Sequence, residues 1–183
     1  LRLTVDGHTD YVIVKPKDPT LVDDYAAKAL AHYLREISGA EFPVVDADDP
    51  RGEGKTIFVG ICPLELKRLG EEKPRAGLRN QEHVFRSSGD EVFLYGEGPH
   101  GNLHAVMEFL ENSLGWRWYS VFDKPLILAK PEGELEPFRW RKDKSENVES
   151  KAPAPTISLT PFNRRRTFSF PDRLETLFHH GMD

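Results

Sequence analysis

The stretch Glu91 to Tyr119, EVFLYGEGPHGNLHAVMEFLENSLGWRWY, decides the fold, because it reads as strand, glycine turn, amphipathic helix and aromatic strand without a break. Upstream, Glu82 to Arg86 and Glu91 to Tyr95 flank Ser87-Ser88-Gly89-Asp90, a composition that suits a tight hairpin loop. The helix is expected over about Asn102 to Leu114, with Leu103, Val106, Met107, Leu110 and Leu114 in one apolar stripe and Gly115 where a helix stops. Burying five such side chains gives on the order of 8 to 15 kcal/mol as an upper bound, the magnitude of a core. Met107 and its neighbours need no cofactor to explain them.

Working outward, Leu3 to Val5 and Tyr11 to Val14 are short β-rich runs separated by Asp6-Gly7 and Thr9-Asp10, most simply a hairpin. A helix follows over about Leu21 to Ile37, with Val22, Ala26, Ala29, Leu30, Tyr33, Leu34 and Ile37 on one face. Thr20 can cap it with Asp23 three residues on, and Gly39 follows its end. Phe42 to Val45 and Thr56 to Val59 look like strands around a polar loop, and Pro63 to Leu69 a short helix. Beyond Trp116 to Tyr119 and the strand-like Pro125 to Leu128, organisation weakens near Glu136. Residues 1–140 are therefore read as one domain and 141–183 as a charged, proline-containing linker and irregular tail, with a short helix expected from Pro171 to His180.

With 183 residues, 38% hydrophobic and 30% charged, the chain holds one ordinary globular core. A net charge of -5 gives no general attraction to phosphate backbones, so nucleic acid is not an expected partner. The lone Cys62 excludes an internal disulfide framework and reads as a small buried thiol. No apolar run reaches the roughly 20 residues a bilayer span requires. The chain begins at Leu1 rather than a methionine, which leaves a processed secretion signal open.

Several constellations compete for a functional role. Gly96, Gly98 and Gly101 satisfy the G-x-G-x-x-G pattern of a dinucleotide turn, with Asp123 as the acidic residue further on. Pro99 within the turn offers no N–H to a pyrophosphate, and the motif follows a hairpin strand rather than opening a βαβ unit. His100 and His104 stand i, i+4 but lack the intervening glutamate of a metalloprotease; they read as a surface pair at the helix start. His179 and His180 are adjacent and point apart on a helix, and Arg164-Arg165-Arg166 reads as a solvated basic run. Trp116, Trp118 and Tyr119 can stack on a ligand while Arg117 supplies forked donors; these four with His100 are the candidate carbohydrate or interdomain contacts. No G-x-S-x-G elbow occurs, no paired catalytic carboxyls can be picked from sequence, and neither cofactor nor metal is expected.

The order of AAKALAHYLREISGAEFPVV, TIFVG and HVFRSSGDEVFLYGEGPHGNLHAVMEFLENSLGWRWY resembles the N-terminal domain that precedes the barrel in α-glucuronidase-type glycoside hydrolases and their relatives. The most specific elements are Ile37-Ser38-Gly39 with Pro43, Val59-Gly60, and Gly101 leading through Ala105 and Phe109-Leu110-Glu111 to Leu114-Gly115-Trp116-Arg117-Trp118-Tyr119. The resemblance implies an α+β fold, a mixed sheet with helices on one side, similar to the second domain of bacterial β-hexosaminidases. It also implies that catalysis belongs to a following (β/α)8 barrel of about 250 residues, which the 43 residues after position 140 cannot supply. The expected role is non-catalytic support of that barrel in a secreted or periplasmic polysaccharide-degrading enzyme. A stand-alone carbohydrate-binding or interaction module and a nucleotide-dependent enzyme are the alternatives.

Overall fold

The computed structural model describes residues 1–116 and 154–166, all of which belong to one compact unit. Its centre is a six-stranded mixed sheet. The strands are β2 (Tyr11–Lys15), β3 (Val44–Asp46), β4 (Lys55–Val59), β5 (His83–Ser88), β6 (Glu91–Gly96) and β8 (Asn163–Arg166), in the order β3-β2-β4-β6-β5-β8. β3, β2, β4 and β6 are mutually parallel, and β5 runs antiparallel to both β6 and β8. Two further strands, β1 (Arg2–Thr4) and β7 (Ile157–Ser158), pair antiparallel by themselves. The chain is an α+β domain built on a mixed sheet.

The parallel strands are apolar on both faces because both faces are covered. The register aligns Ile13, Ile57 and Val92 across β2, β4 and β6, and Val59, Leu94 and Phe85 across β4, β6 and β5. That face carries the two long helices, α1 (Leu21–Ser38) and α3 (Gly101–Leu114), which also pack on each other. The opposite face presents Val12, Val14, Phe58, Phe93 and Tyr95, with Phe58 and Phe93 stacked at 5.3 Å and nearly parallel. Leu64 and Leu69 of the short helix α2 (Pro63–Leu69), with Leu78 from the loop beyond it, pack there. Arg68 ties this layer down: its guanidinium lies 5.7 Å from the Phe58 ring centre, donates to Gly52 O at 2.7 Å and Gly54 O at 3.0 Å, and pairs with Glu91.

Local sequence sets the helix ends. Thr20 and Asp23 form a reciprocal capping box, each side chain accepting from the other's backbone N–H, a device worth about 1 kcal/mol. α1 ends at Gly39 and α3 at Gly115, both left-handed. α2 uses a sulfur variant of the same box: Cys62 Sγ accepts from Glu65 N at 3.4 Å, and Glu65 Oε2 accepts from Cys62 N at 3.2 Å. Cys62 is buried, as its composition suggests, and burial pushes its thiol pKa up.

The N-terminal hairpin is not formed. Asp6 and Gly7 do make a turn, with φ of 50° and 77°, that closes Val5 on His8. Thr9 then ends it: its hydroxyl donates to Leu3 O at 2.6 Å and accepts from Tyr11 N at 3.0 Å, so β2 leaves for the central sheet. Both edges of β2 are taken, one by β3 and the other by β4, so no edge is left for β1 as a hairpin partner. β1 pairs instead with residues from beyond position 153. Ile157 N donates to Thr4 Oγ1 at 2.8 Å, and Leu1 and Leu159 exchange backbone bonds.

The basic run likewise has a structural place. Arg164 to Arg166 lie in β8, paired with Phe85, Val84 and His83, and Asn163 before them pairs with Arg86. On this edge strand the four side chains stay exposed, so a polar sequence is compatible with strand pairing. Arg165 donates to both Glu82 oxygens, at 2.9 and 2.7 Å. Those bonds hold the Glu82 carboxyl down at about 2. The boundary expected at residue 140, Asp123, Pro125 to Leu128 and the helix expected from Pro171 lie outside the described residues.

Candidate functional site

Trp116 lies two residues beyond α3 and is half-buried, its ring 4.7 Å from that of Tyr33 on α1. Its backbone N–H donates to Leu110 O at 3.0 Å, closing the end of α3. Arg117, Trp118 and Tyr119 lie outside the described residues. His100 occupies the N-cap position of α3, partly exposed and without a side-chain capping bond.

The His100–His104 pair is not a surface pair. His104 is only 1% exposed and His83 not at all. Their rings meet edge to face at 5.9 Å, and the His100 ring stacks over His104 at 6.2 Å. The reason is that α3 is buried all round its first turn and a half, Gly101 to Val106, so an i, i+4 spacing there does not select a wet face. Burial, with His83 and His100 alongside, lowers the His104 pKa to about 4, and burial lowers that of His83. Among the described residues no three His, Cys, Asp or Glu side chains are arranged to hold a metal ion.

The glycine fingerprint serves packing. A Cβ on Gly96 would come within 2.7 Å of Gly101 Cα, and one on Gly101 within 2.5 Å of the Gly96 carbonyl carbon, so the end of β6 and the start of α3 touch backbone to backbone. Gly98 has φ of 80°, and a side chain there would strike Asn80 Oδ1. In a dinucleotide site the helix start is open to the pyrophosphate. Here Gly101, Asn102, Leu103 and His104 are buried against protein.

The place where open parallel sheets hold ligands is the crevice at the carboxyl ends of their strands. In this chain that place, beyond Lys15, Val59 and Gly96, is built around Asn102 in the first turn of α3. Asn102 Nδ2 donates to Asp23 Oδ1 at 2.7 Å, and Oδ1 accepts from Gly96 N at 2.9 Å and from Arg75 at 3.1 Å. One carboxamide thus joins both long helices, β6 and the loop after α2. Gly60 backs onto it so closely that a Cβ would lie 3.0 Å from Asn102 Nδ2. At the end of β2, Lys15 bridges Asp24 at 3.4 Å and Asp46 at 2.7 Å. These groups satisfy one another across the strand ends.

Two open depressions flank the loop after α2. One, of about 390 Å³, is lined by Leu66, Lys67, Gly70, Glu71 and Glu72. The other, of about 360 Å³, is lined by Ile61, Leu66 and residues 72–76. Beneath α2, Glu65 is fully buried, and desolvation raises its carboxyl pKa to about 8. The sequence offers a signal for Glu65, since Cys62-Pro63-x-Glu65 has capping-box spacing with sulfur in place of a hydroxyl. Asn102, Asp23 and Arg75 give none, because they are distant in sequence and meet only in the fold.

No protein-family model matches the chain, and no curated protein sequence matches it. Two solved structures to which it is similar are glycoside hydrolases. One is a GH138 enzyme targeting pectin rhamnogalacturonan II, with a TM-score of 0.35 and 13% identity, covering 64% of this chain and 12% of that one. The other is the Streptomyces plicatus N-acetyl-β-hexosaminidase, with a TM-score of 0.37 and 17% identity, covering 61% of this chain and 18% of that one. The chain spans less than a fifth of the length of either. Among the described residues no helix is long and apolar enough to cross a membrane.

Proposed function

We propose that this chain is a non-catalytic N-terminal domain of a carbohydrate-active enzyme of the α-glucuronidase type, acting outside the cytoplasm on a plant or host polysaccharide. Catalysis is assigned to a (β/α)8 barrel of the same polypeptide beyond Asp183. The observation that carries the non-catalytic part is the filled crevice at the strand ends, where Asn102 consumes the donors and acceptors that a ligand would otherwise meet. The carbohydrate part is supported by the ordered motifs from Ile37-Ser38-Gly39 to Leu114-Gly115-Trp116-Arg117-Trp118-Tyr119. In this reading Trp116, Arg117, Trp118, Tyr119 and His100 are the candidate contacts to the barrel or to carbohydrate.

The test is hydrolysis. The 183-residue chain is expected to release no reducing sugar from glucuronate-bearing xylan or from pectin, whereas the product purified from its source cells releases it. Hydrolysis by the 183-residue chain alone would overturn the non-catalytic assignment. Loss-free activity of the native product after residues 1–116 are deleted would overturn the supporting role.

A further inference from the structure

Glu65 in the α2 layer is a buried carboxyl that packing does not explain. It sits at the third position of α2 with no exposed surface, and only one of its oxygens is engaged: Oε2 accepts from Cys62 N at 3.2 Å, while Oε1 is buried and has no hydrogen-bond partner. A full negative charge in such a place is costly, and a carboxyl in this position holds its proton instead. The groups facing it come from every element around it. Cys62 stands on its own helix cap, Glu71 and Arg75 in the following loop, Arg86 on β5 and Tyr95 on β6. The two guanidiniums are committed elsewhere, Arg75 to Asn102 at 3.1 Å and Arg86 to Glu71 at 2.9 Å. Yet Nε of Arg75 and Nε of Arg86 are both buried without a partner.

We propose that Glu65 is a proton-operated latch: protonated, it seats α2 and the loop through residue 80 on the Phe58–Phe93 face, and ionised, it releases them. The neutral acid keeps the Cys62 N–H bond that starts α2 and tolerates the dry surroundings. Loss of the proton leaves a buried charge that the segment relieves by lifting toward water. That movement pulls on Leu64, Leu69 and Leu78, the side chains that close this face. The raised carboxyl pKa, about 8, places the transition just above neutrality.

Amide hydrogen exchange of the whole 183-residue chain reads the latch directly. After correction for intrinsic rates, exchange within Glu65 to Leu69 is expected to accelerate at least about tenfold between pH 6 and pH 9 relative to β2 and β4, following the proton linkage. Glu65→Gln, which keeps the acceptor and the shape without the charge, is expected to abolish that acceleration. Equal pH dependence in the two proteins, or none in the wild type, would overturn the proposal. Independently of any variant, the ¹³C-carboxyl resonance of Glu65 must titrate well above the ordinary 4.5. A midpoint at the ordinary value would overturn it as well.

Discussion

Asn102 Nδ2 lies 2.7 Å from Asp23 Oδ1, joining the first turn of α3 to the first turn of α1 across 79 residues of sequence. Because the same side chain also accepts from Gly96 N and Arg75, its loss strands a buried backbone N–H and an arginine donor together. Asn102→Ala is expected to destabilise the domain by about 2–4 kcal/mol, the cost of leaving more than one buried polar group unpaired. Urea unfolding followed by circular dichroism measures it; an unchanged midpoint would remove Asn102 from the centre of the fold.

Gly96 and Gly101 touch backbone to backbone, and this contact separates a packing role from a nucleotide role. Gly96→Ala or Gly101→Ala forces β6 and α3 apart and is expected to lower Tm by 10 °C or more, at roughly 3 kcal/mol or above. The wild-type Tm is expected not to move in millimolar NAD or NADP, since a ligand that binds the native state would raise it. A rise of several degrees would restore the dinucleotide reading of this turn.

Arg68 holds three acceptors at once: two carbonyls of the turn before β4 and the carboxylate of Glu91. A lysine ammonium is a single compact charge that cannot span that fork. Arg68→Lys is therefore expected to cost about 1–3 kcal/mol, and Arg68→Met no less. Thermal melts of the two variants decide it; a fully stable Arg68→Lys would mean that charge alone, not geometry, is what this position supplies.

Imidazoles and a carboxyl shifted in opposite directions by burial give stability a maximum in pH. His83 and His104 have pKa values below the ordinary 6.5, so the unfolded chain takes up their protons first. Their contribution is complete above pH 6.5 and is lost as pH falls below it, for His104 toward about 4. Glu65 has a pKa raised from 4.5 to about 8, so the native state holds a proton the unfolded chain releases. Its contribution is complete below pH 4.5 and is lost as pH rises toward 8. Below 6.5 the carboxyl is opposed by His83, His104 and the half-buried His32, whose pKa burial also lowers to about 4, so the imidazoles outweigh it; above 6.5 the carboxyl acts alone. The midpoint of urea unfolding is expected to peak near pH 6.5 and to decline toward pH 8; a plateau from 6.5 to 8 would contradict the Glu65 assignment.

Local chemistry made the two long helices and the β5–β6 hairpin legible from sequence. Thr20, Asp23 and Gly39 bound α1, and Gly115 closes α3, through interactions with near neighbours. What stayed hidden is long-range. β1 finds its partner 153 residues away, through Thr4 and Ile157, and the Asp6-Gly7 turn is real but leads nowhere because Thr9 ends it. Asn163 to Arg166 carry no apolar alternation, since an edge strand needs none. His104 was legible as a helix residue but not as a buried one, because a helix packed on several sides has no wet stripe at its start. Of the candidate contacts, His100 and Trp116 are placed at the two ends of α3, with Trp116 packed on Tyr33.

The central claim, that this domain serves an enzyme whose catalytic carboxyls lie beyond it, is tested most directly by the intact mass of the native product in its source cells. The account predicts a species heavier than the 20.9 kDa of these 183 residues by at least the roughly 250 residues of a (β/α)8 barrel. A mature product of 20.9 kDa would contradict it and leave this domain to act alone.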